Sequence, residues 1–165
     1  MTETKRLLLL RHAKSSWDDP SLADHDRPLA PRGRKAGKRI RAYLRREQVD
    51  VALVLCSSAR RARETLDLVA PPGAIRIEPE LYGAAAEELL ERLRHVPDEI
   101  DAVMLIGHEP AIRELAITLV GDGSELADRK FPTAALATLT FSGPWGALAP
   151  EHAQLVAFIS PRELG

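Results

Sequence analysis

Three short, continuous apolar runs constrain the fold of this chain more than any other feature of its sequence. They cover residues 7–10 (LLLL), 51–55 (VALVL) and 102–106 (AVMLI), and polar residues begin within two positions of the end of each run. Runs of this length without polar alternation are typical of strands that are buried on both faces of a parallel sheet. We therefore expect three central strands, each ending at a polar segment.

Segments with helical periodicity lie between these runs and after the last of them. One predicted helix follows Pro31, a second covers residues 89–93, and a third begins at Pro110 and ends before Gly121. Further short strands are expected at residues 75–78, 135–141 and 153–160. Alternation of strands and helices predicts an α/β fold, in which a mostly parallel central sheet lies between two helical layers as a three-layer α/β/α sandwich.

Length and charge narrow the class of protein. A chain of 165 residues is expected to form one domain over residues 1–165, and its 45% hydrophobic and 28% charged content is near the globular average. The 23 basic and 24 acidic residues nearly cancel, so no overall field attracts a nucleic acid or a lipid surface. We expect neither as a partner, and we expect a monomer or a weak dimer.

Cysteine content and the sequence near the amino terminus indicate the cellular compartment of the protein. The single cysteine, Cys56, cannot form an internal disulfide, which agrees with a reducing environment. The apolar run at residues 7–10 is too short for the core of a secretory signal. These features predict a cytoplasmic protein.

Histidines and arginines follow the three apolar runs. Arg11 and His12 follow the first, the segment SSARRARET at residues 57–65 follows the second, and His108 follows the third. The carboxyl ends of parallel strands meet at one edge of the sheet, where ligands of open α/β folds bind. We expect these side chains to converge there.

Such a set of side chains is suited to phosphoryl transfer. A neutral imidazole can attack phosphorus, and the N–P bond that it forms is labile enough for water to break. Guanidinium groups neutralise the phosphoryl oxygens in the transition state, and a second imidazole adds a hydrogen bond. Because neighbouring arginines repel cations and no third ligand has suitable spacing, we expect no metal and no cofactor.

The motifs resemble the histidine phosphatase superfamily, whose fold is phosphoglycerate mutase-like. The resemblance rests on LRHA at residues 10–13, SSARRARET at 57–65 and GHEP at 107–110. Within the superfamily, RHAKSSW at residues 11–17, followed by DRPL at 26–29 and by Gly33, resembles the SixA-like phosphohistidine phosphatase branch. The ordered motifs extend over roughly residues 5–120, and the tail matches only in strand character.

The resemblance implies a role for each matching residue. His12 would be the nucleophile, Arg11 and Arg61 would bind the phosphoryl group, and His108 would be the second histidine. If Arg61 is not the second arginine, Arg60 or Arg63 is the next choice. The superfamily usually has glycine where this chain has Ala13, a departure that matters only if the backbone there needs the glycine-only range.

The general acid of larger relatives has no clear counterpart in this sequence. Glu80 is the candidate by its order along the chain, and its rivals lie in the loop after the nucleophile. They are Asp18, Asp19, Asp24 and Asp26. Imidazole leaves from phosphohistidine more readily than an alkoxide leaves from an ester, so a weak acid is sufficient for a phosphoramidate.

Residues around the motifs are secondary candidates for substrate binding. Ser16 and Trp17, in the long loop of residues 14–30, are expected to wall the pocket, and the Ser58 hydroxyl is expected to contact phosphate. Alternatively, Trp17 only anchors the loop and the serines satisfy backbone groups at a turn. The strongly basic helix after Pro31 could bind an acidic protein or a nucleic acid, or it could be an ordinary solvated face.

Three functions are consistent with these observations. The first is a metal-independent phosphatase that forms a phosphohistidine intermediate on His12 and dephosphorylates phosphohistidine in a protein. The second is a phosphomonoesterase that acts on a small metabolite or nucleotide. The third is a phosphoprotein-binding module that retains the pocket without turnover.

Overall fold

A computed structural model describes residues 4–164 of the chain and contains one six-stranded sheet with the strand order β3-β2-β4-β1-β5-β6. The strands are β1 (Thr4–Arg11), β2 (Leu53–Ser57), β3 (Ala74–Glu78), β4 (Ala102–Gly107), β5 (Leu136–Ser142) and β6 (Gln154–Ile159). The α-helices are α1 (Pro31–Arg46), α2 (Arg60–Val69), α3 (Ala86–Arg94) and α4 (Ala111–Val120). The strands predicted from the sequence are therefore present.

The sheet is parallel through its centre and antiparallel at one edge. Strand β4 lies between β1 and β2 and is parallel to both, and β3 is parallel to β2. Strand β5 is antiparallel to β1, and β6 is antiparallel to β5. The prediction of a mostly parallel central sheet is confirmed.

Helices cover both faces of the sheet, so the predicted three-layer sandwich is also confirmed. Leu8 and Leu10 of β1 pack in the same apolar cluster as residues of α1 and α2, whereas Leu7 and Leu9 pack with α3 and α4. All four leucines are fully buried. A strand that is covered on both faces needs apolar residues at every position, which explains the continuous runs in the sequence. Within residues 4–164, no helix is long and apolar enough to cross a bilayer.

The start of α1 packs directly on the backbone that follows β1. The amide of Ala30 donates to the carbonyl oxygen of Lys14 at 2.9 Å. A Cβ atom on Gly33 would lie 2.2 Å from that same oxygen, closer than any real contact allows. The absence of a side chain at Gly33 therefore lets α1 lie against the segment two residues beyond His12.

We expect Gly33→Ala to lower the free energy of unfolding by about 3 kcal/mol, because the added methyl group collides with backbone rather than with a flexible side chain. Gly83→Ala is the matched control, since a Cβ there meets nothing within 4 Å. It should change stability by no more than about 0.5 kcal/mol. Urea unfolding of the three proteins measures the difference, and equal stability of the two variants would contradict the packing argument.

Candidate active site

The pairing of β1 with β4 brings the two motif histidines to one edge of the sheet. Arg11 is opposite Gly107 in the parallel register, and the amide of His12 donates to the Gly107 carbonyl oxygen at 3.0 Å. The ring centroids of His12 and His108 are 5.0 Å apart. Arg11 and Arg61 both act electrostatically on both histidines. We call Arg11, His12, Arg61 and His108 the nitrogen cluster.

His12 is buried, with 7% of its surface exposed. Its Nδ1 lies 2.7 Å from the carbonyl oxygen of Ala13, and since a carbonyl oxygen only accepts, Nδ1 carries the proton. Burial lowers the pKa of His12 to about 3, and the repulsion of His108 and of the arginines acts in the same direction. The ring is therefore neutral at pH 7, with an unprotonated Nε2 that makes no hydrogen bond within residues 4–164.

The two arginines are held by acceptors of the protein, yet each keeps one buried N–H group without a partner. Arg61 donates from Nη1 to the backbone carbonyl oxygen of Asp24 at 2.8 Å and from Nη2 to Asp24 Oδ2 at 3.0 Å. Arg11 donates from Nη1 to the Phe131 carbonyl oxygen at 2.9 Å. The Nε atoms of both arginines are buried and lack a hydrogen-bond partner within the described residues. Buried donors of this kind are suited to an anion.

His108 presents a similar unsatisfied nitrogen. Its Nε2 lies 2.7 Å from Ser57 Oγ, while its Nδ1 is buried and has no partner among the described residues. Burial and the charge of Arg61 lower the pKa of His108 to about 4, so this ring is neutral as well. When the Ser57 hydroxyl donates to Nε2, Nδ1 carries the proton and can donate it to an oxygen.

Thr65 joins the two halves of the nitrogen cluster. Its hydroxyl accepts from the amide of Ala13 at 2.9 Å and donates to the carbonyl oxygen of Arg61 at 2.7 Å. This pair of bonds fixes the end of β1 against the first turn of α2. Ala13 is fully buried and does not adopt a positive φ, so its backbone conformation does not require glycine.

Asp24, in the loop after β1, lies over Arg61. Its carboxylate accepts hydrogen bonds from the Tyr82 hydroxyl and from Arg61, and it forms an ion pair with Arg27 at 3.2 Å. The bond from Tyr82, followed by the bond from Arg61, lowers the pKa of Asp24 to about 2. Asp24 is therefore ionised at neutral pH and is not a proton donor. Its role in the structure is to orient the Arg61 guanidinium group.

Three of the predicted substrate-binding residues are engaged elsewhere. The Ser16 hydroxyl accepts from the amide of Asp18 at 3.1 Å, and the Ser58 hydroxyl lies 2.9 Å from His25 Nε2. Trp17 is 74% exposed. Its indole ring lies 3.4 Å from the guanidinium carbon of Arg27. None of the three forms a hydrogen bond or a ring contact with the nitrogen cluster in the part of the chain that the structure describes.

The structure does not bring Glu80 to the nitrogen cluster. Glu80 lies in a 3-10 turn (Pro79–Leu81) whose buried residue is Leu81, so its own side chain is exposed. It lines a surface cleft together with Arg92. The pKa of Arg92 is raised mainly by its hydrogen bond to Glu78 and to a smaller extent by Glu80. Glu80 makes no hydrogen bond or ion pair with the nitrogen cluster within residues 4–164, and its role as proton donor stays a prediction.

Tyr82, which the sequence analysis did not select, does reach the site. Its ring packs edge-on against His108 at 5.6 Å and against His25 at 4.8 Å. It follows β3, whose carboxyl end lies at the same edge of the sheet, so the rule that selected His12 and His108 could also have selected Tyr82. Within residues 4–164, no group of three or more His, Cys, Asp and Glu side chains is arranged to hold a metal ion.

Comparisons with known proteins agree with this geometry. Residues 7–85 match the histidine phosphatase superfamily (branch 1). An uncharacterized protein of Mycobacterium tuberculosis is 41% identical over 159 residues, which cover 93% of this chain and 100% of that protein. An uncharacterized protein of Mycobacterium leprae is 38% identical over 161 residues, with 93% and 100% coverage.

Solved structures extend the comparison to the whole fold. The "putative phosphohistidine phosphatase SixA" from Nakamurella multipartitia has a TM-score of 0.87 and 32% identity, over 96% of each chain. The protein histidine phosphatase SixA complexed with tungstate has a TM-score of 0.81 over 97% of this chain and 99% of that chain, and at 23% identity it shows the fold alone. The chain belongs to the histidine phosphatase superfamily and is a phosphatase.

Proposed function

We propose that this phosphatase removes phosphoryl groups from phosphohistidine in a protein substrate, without a metal, through a phosphohistidine intermediate on His12. The observation that carries the proposal is the state of His12: a buried, neutral imidazole, with its proton fixed on Nδ1 by the Ala13 carbonyl oxygen. This arrangement leaves the lone pair of Nε2 available beside cationic groups that bind phosphate. Likeness to proteins described as SixA phosphohistidine phosphatases supports the substrate class.

In the first step, the lone pair of His12 Nε2 attacks phosphorus, and the P–N bond to the substrate imidazole breaks. The guanidinium groups of Arg11 and Arg61 and the imidazole of His108 stabilise the charge of the phosphoryl oxygens. Because the Nη atoms of both arginines are already held in place by protein acceptors, little reorganisation is required as charge develops. The freed imidazole of the substrate takes a proton from solvent.

In the second step, a water oxygen attacks phosphorus, the bond from phosphorus to His12 Nε2 breaks, and inorganic phosphate leaves. His12 regains its lone pair, and the proton lost by water passes to solvent or to phosphate. The hydrogen bond from Nδ1 to Ala13 persists through both steps and stabilises the ring while it carries the phosphoryl group.

The ionised state of Asp24 favours phosphohistidine over alkyl phosphate esters. The carboxylate that contacts the cluster through Arg61, Asp24, is ionised and cannot protonate an alkoxide. An imidazole needs less assistance to leave. The proposed enzyme should therefore hydrolyse phosphohistidine faster than alkyl phosphate monoesters, and faster turnover of the esters would favour the phosphomonoesterase alternative.

His12→Ala should reduce phosphate release from a phosphohistidine substrate by at least about 10³-fold, because it removes the nucleophile. The wild-type enzyme, quenched during turnover, should carry an acid-labile phosphate that the variant lacks. His95→Ala is the control, since His95 is an exposed histidine at the end of α3. Turnover without a trapped phosphate would contradict the covalent route, and the absence of both turnover and a trapped phosphate would favour the binding module.

Arg61→Ala should lower kcat/KM and vanadate affinity on the order of 10²-fold, since hydrogen bonds to charged groups contribute about 1.5–3 kcal/mol. Arg60→Ala is the matched control on the preceding residue, where an exposed side chain pairs with Glu64 at 3.1 Å. That variant should stay within about threefold of wild type. A larger effect at Arg60 than at Arg61 would show that the wrong arginine was assigned.

Acid should destabilise the protein through His12. The unfolded chain takes up a proton on this histidine below a pKa of 6.5, whereas the folded chain stays neutral down to about 3, so stability that is present above pH 6.5 is lost as pH falls. From about pH 7 to about pH 5, wild type should lose on the order of 2 kcal/mol more unfolding free energy than His12→Gln. Urea unfolding at each pH measures this, and equal losses would mean that His12 titrates normally.

A further inference from the structure

A groove rich in basic side chains runs along the protein beside the active site. It has a volume of about 800 Å³ and is lined by four segments of the chain that are separated in sequence. Its cations are Lys14, Arg32, Lys35, Arg39, Arg129, Lys130 and Arg162, and its one acidic residue is Glu163. We call this surface the basic groove.

Helix α1 supplies one wall of the basic groove. Arg32, Lys35 and Arg39 are spaced at three and four positions, so they lie along one face of the helix. All three side chains are exposed. At a rise of 1.5 Å per residue, their row extends for about 10 Å. This length exceeds what one phosphate group can contact.

Most of the basic side chains of the groove have no acidic partner among residues 4–164. Within residues 4–164, six of its seven cations form no ion pair, and the exception is Arg129, which pairs with Glu163 at 3.1 Å. The cleft at the opposite edge of the sheet differs, because both of its arginines, Arg76 and Arg92, pair with Glu78. Unpaired cations at this density create a local field that attracts anionic surfaces.

The basic groove adjoins a second cleft that is lined by Arg11 of the nitrogen cluster. Lys14 is two residues beyond His12, and its backbone supports the start of α1 through the bond from Ala30 and the close approach of Gly33. A neighbouring cleft of about 440 Å³ is lined by Arg11 and shares Arg129, Lys130 and Pro132 with the groove. A molecule that occupies this cleft beside Arg11 can therefore extend into the basic groove.

We propose that the basic groove binds an acidic segment of the phosphoprotein substrate and so presents the phosphohistidine to His12. This proposal rests on the proposed function and names the surface that selects its protein partner. Small-ligand pockets are mostly apolar and enclose their ligand. Here the cations are largely exposed and spread along a groove, as in surfaces that steer and orient a charged protein.

The experiment compares two synthetic peptides that carry one phosphohistidine, flanked by glutamates in one and by glutamines in the other. Lys35→Glu combined with Arg39→Glu reverses two charges of the groove. Lys38→Glu combined with Arg45→Glu makes the same charge change on the same helix, at exposed positions that line a different cleft. Phosphoramidate has no peptide segment that could occupy the groove, so the release of phosphate from it measures the activity of the nitrogen cluster alone.

Wild type should prefer the glutamate peptide by about tenfold in kcat/KM at low ionic strength, since each exposed ion pair contributes a factor of about 1.5 to 5. The preference should disappear near 1 M salt, where the screening length is about 3 Å. The groove variant should lose the preference at low salt as well, with its turnover of phosphoramidate unchanged. The control variant should retain most of the preference.

Three results would overturn the proposal. The first is equal turnover of both peptides by wild type. The second is an equal loss of the preference for the glutamate peptide in the two double variants. The third is that an oligonucleotide displaces the unphosphorylated glutamate peptide at a lower concentration than a second acidic peptide does. The last result would identify a nucleic-acid surface.

Failure of the proposed function is distinguishable from failure of this proposal. If wild type hydrolyses neither peptide, the function is wrong, and fluorescence anisotropy with the unphosphorylated glutamate peptide still tests the groove. Wild type should then bind that peptide about tenfold more tightly than the groove variant does. Equal binding by the two proteins would overturn the groove as well.

Discussion

The parallel pairing of β1 with β4 is the interaction on which the rest of the site depends. It places Arg11 opposite Gly107, so the residues that follow both strands emerge side by side. A shift of one residue in this register would exchange the two faces of β1 and expose leucines to the wrong helical layer. The same leucines that bury the sheet on both sides therefore fix the distance between His12 and His108.

Burial then determines the chemistry of the site. Two histidines beside two arginines would repel one another if all were charged, and removal from water lowers the pKa of both rings well below 7. The arginines stay charged, so the cluster combines neutral imidazoles with fixed cations. The nucleophile must be a neutral imidazole, and binding of a phosphoryl group requires the fixed cations. Both arise because the cluster is buried at the sheet edge, in contact with carbonyl acceptors.

The positions of residues at the ends of strands could be predicted from the sequence. Contacts between side chains of different loops could not. Apolar runs predicted the central strands, and the position of His12 and His108 just beyond two of these strands predicted that the two rings lie close together, as they do. Periodicity does not indicate which way a loop folds, and in the structure Trp17 contacts Arg27 while Ser58 contacts His25. Contact of these two residues with the substrate stays a prediction, because such contacts join loop residues that no sequence pattern relates.

Net charge is a second property for which the sequence alone does not predict the behaviour of the surface. The chain carries a net charge of −1, which argues against a strongly anionic partner when charge is treated as uniform. The structure shows that charge is segregated: acidic residues pair with arginines at the β3 edge, while the cations of α1 face a groove that holds one carboxylate. Screening limits electrostatic effects to about 10 Å at moderate salt, so a partner that docks at the groove experiences the local field rather than the total. Segregation of charge, which follows from the fold and not from composition, therefore determines where on the surface an anionic molecule is attracted.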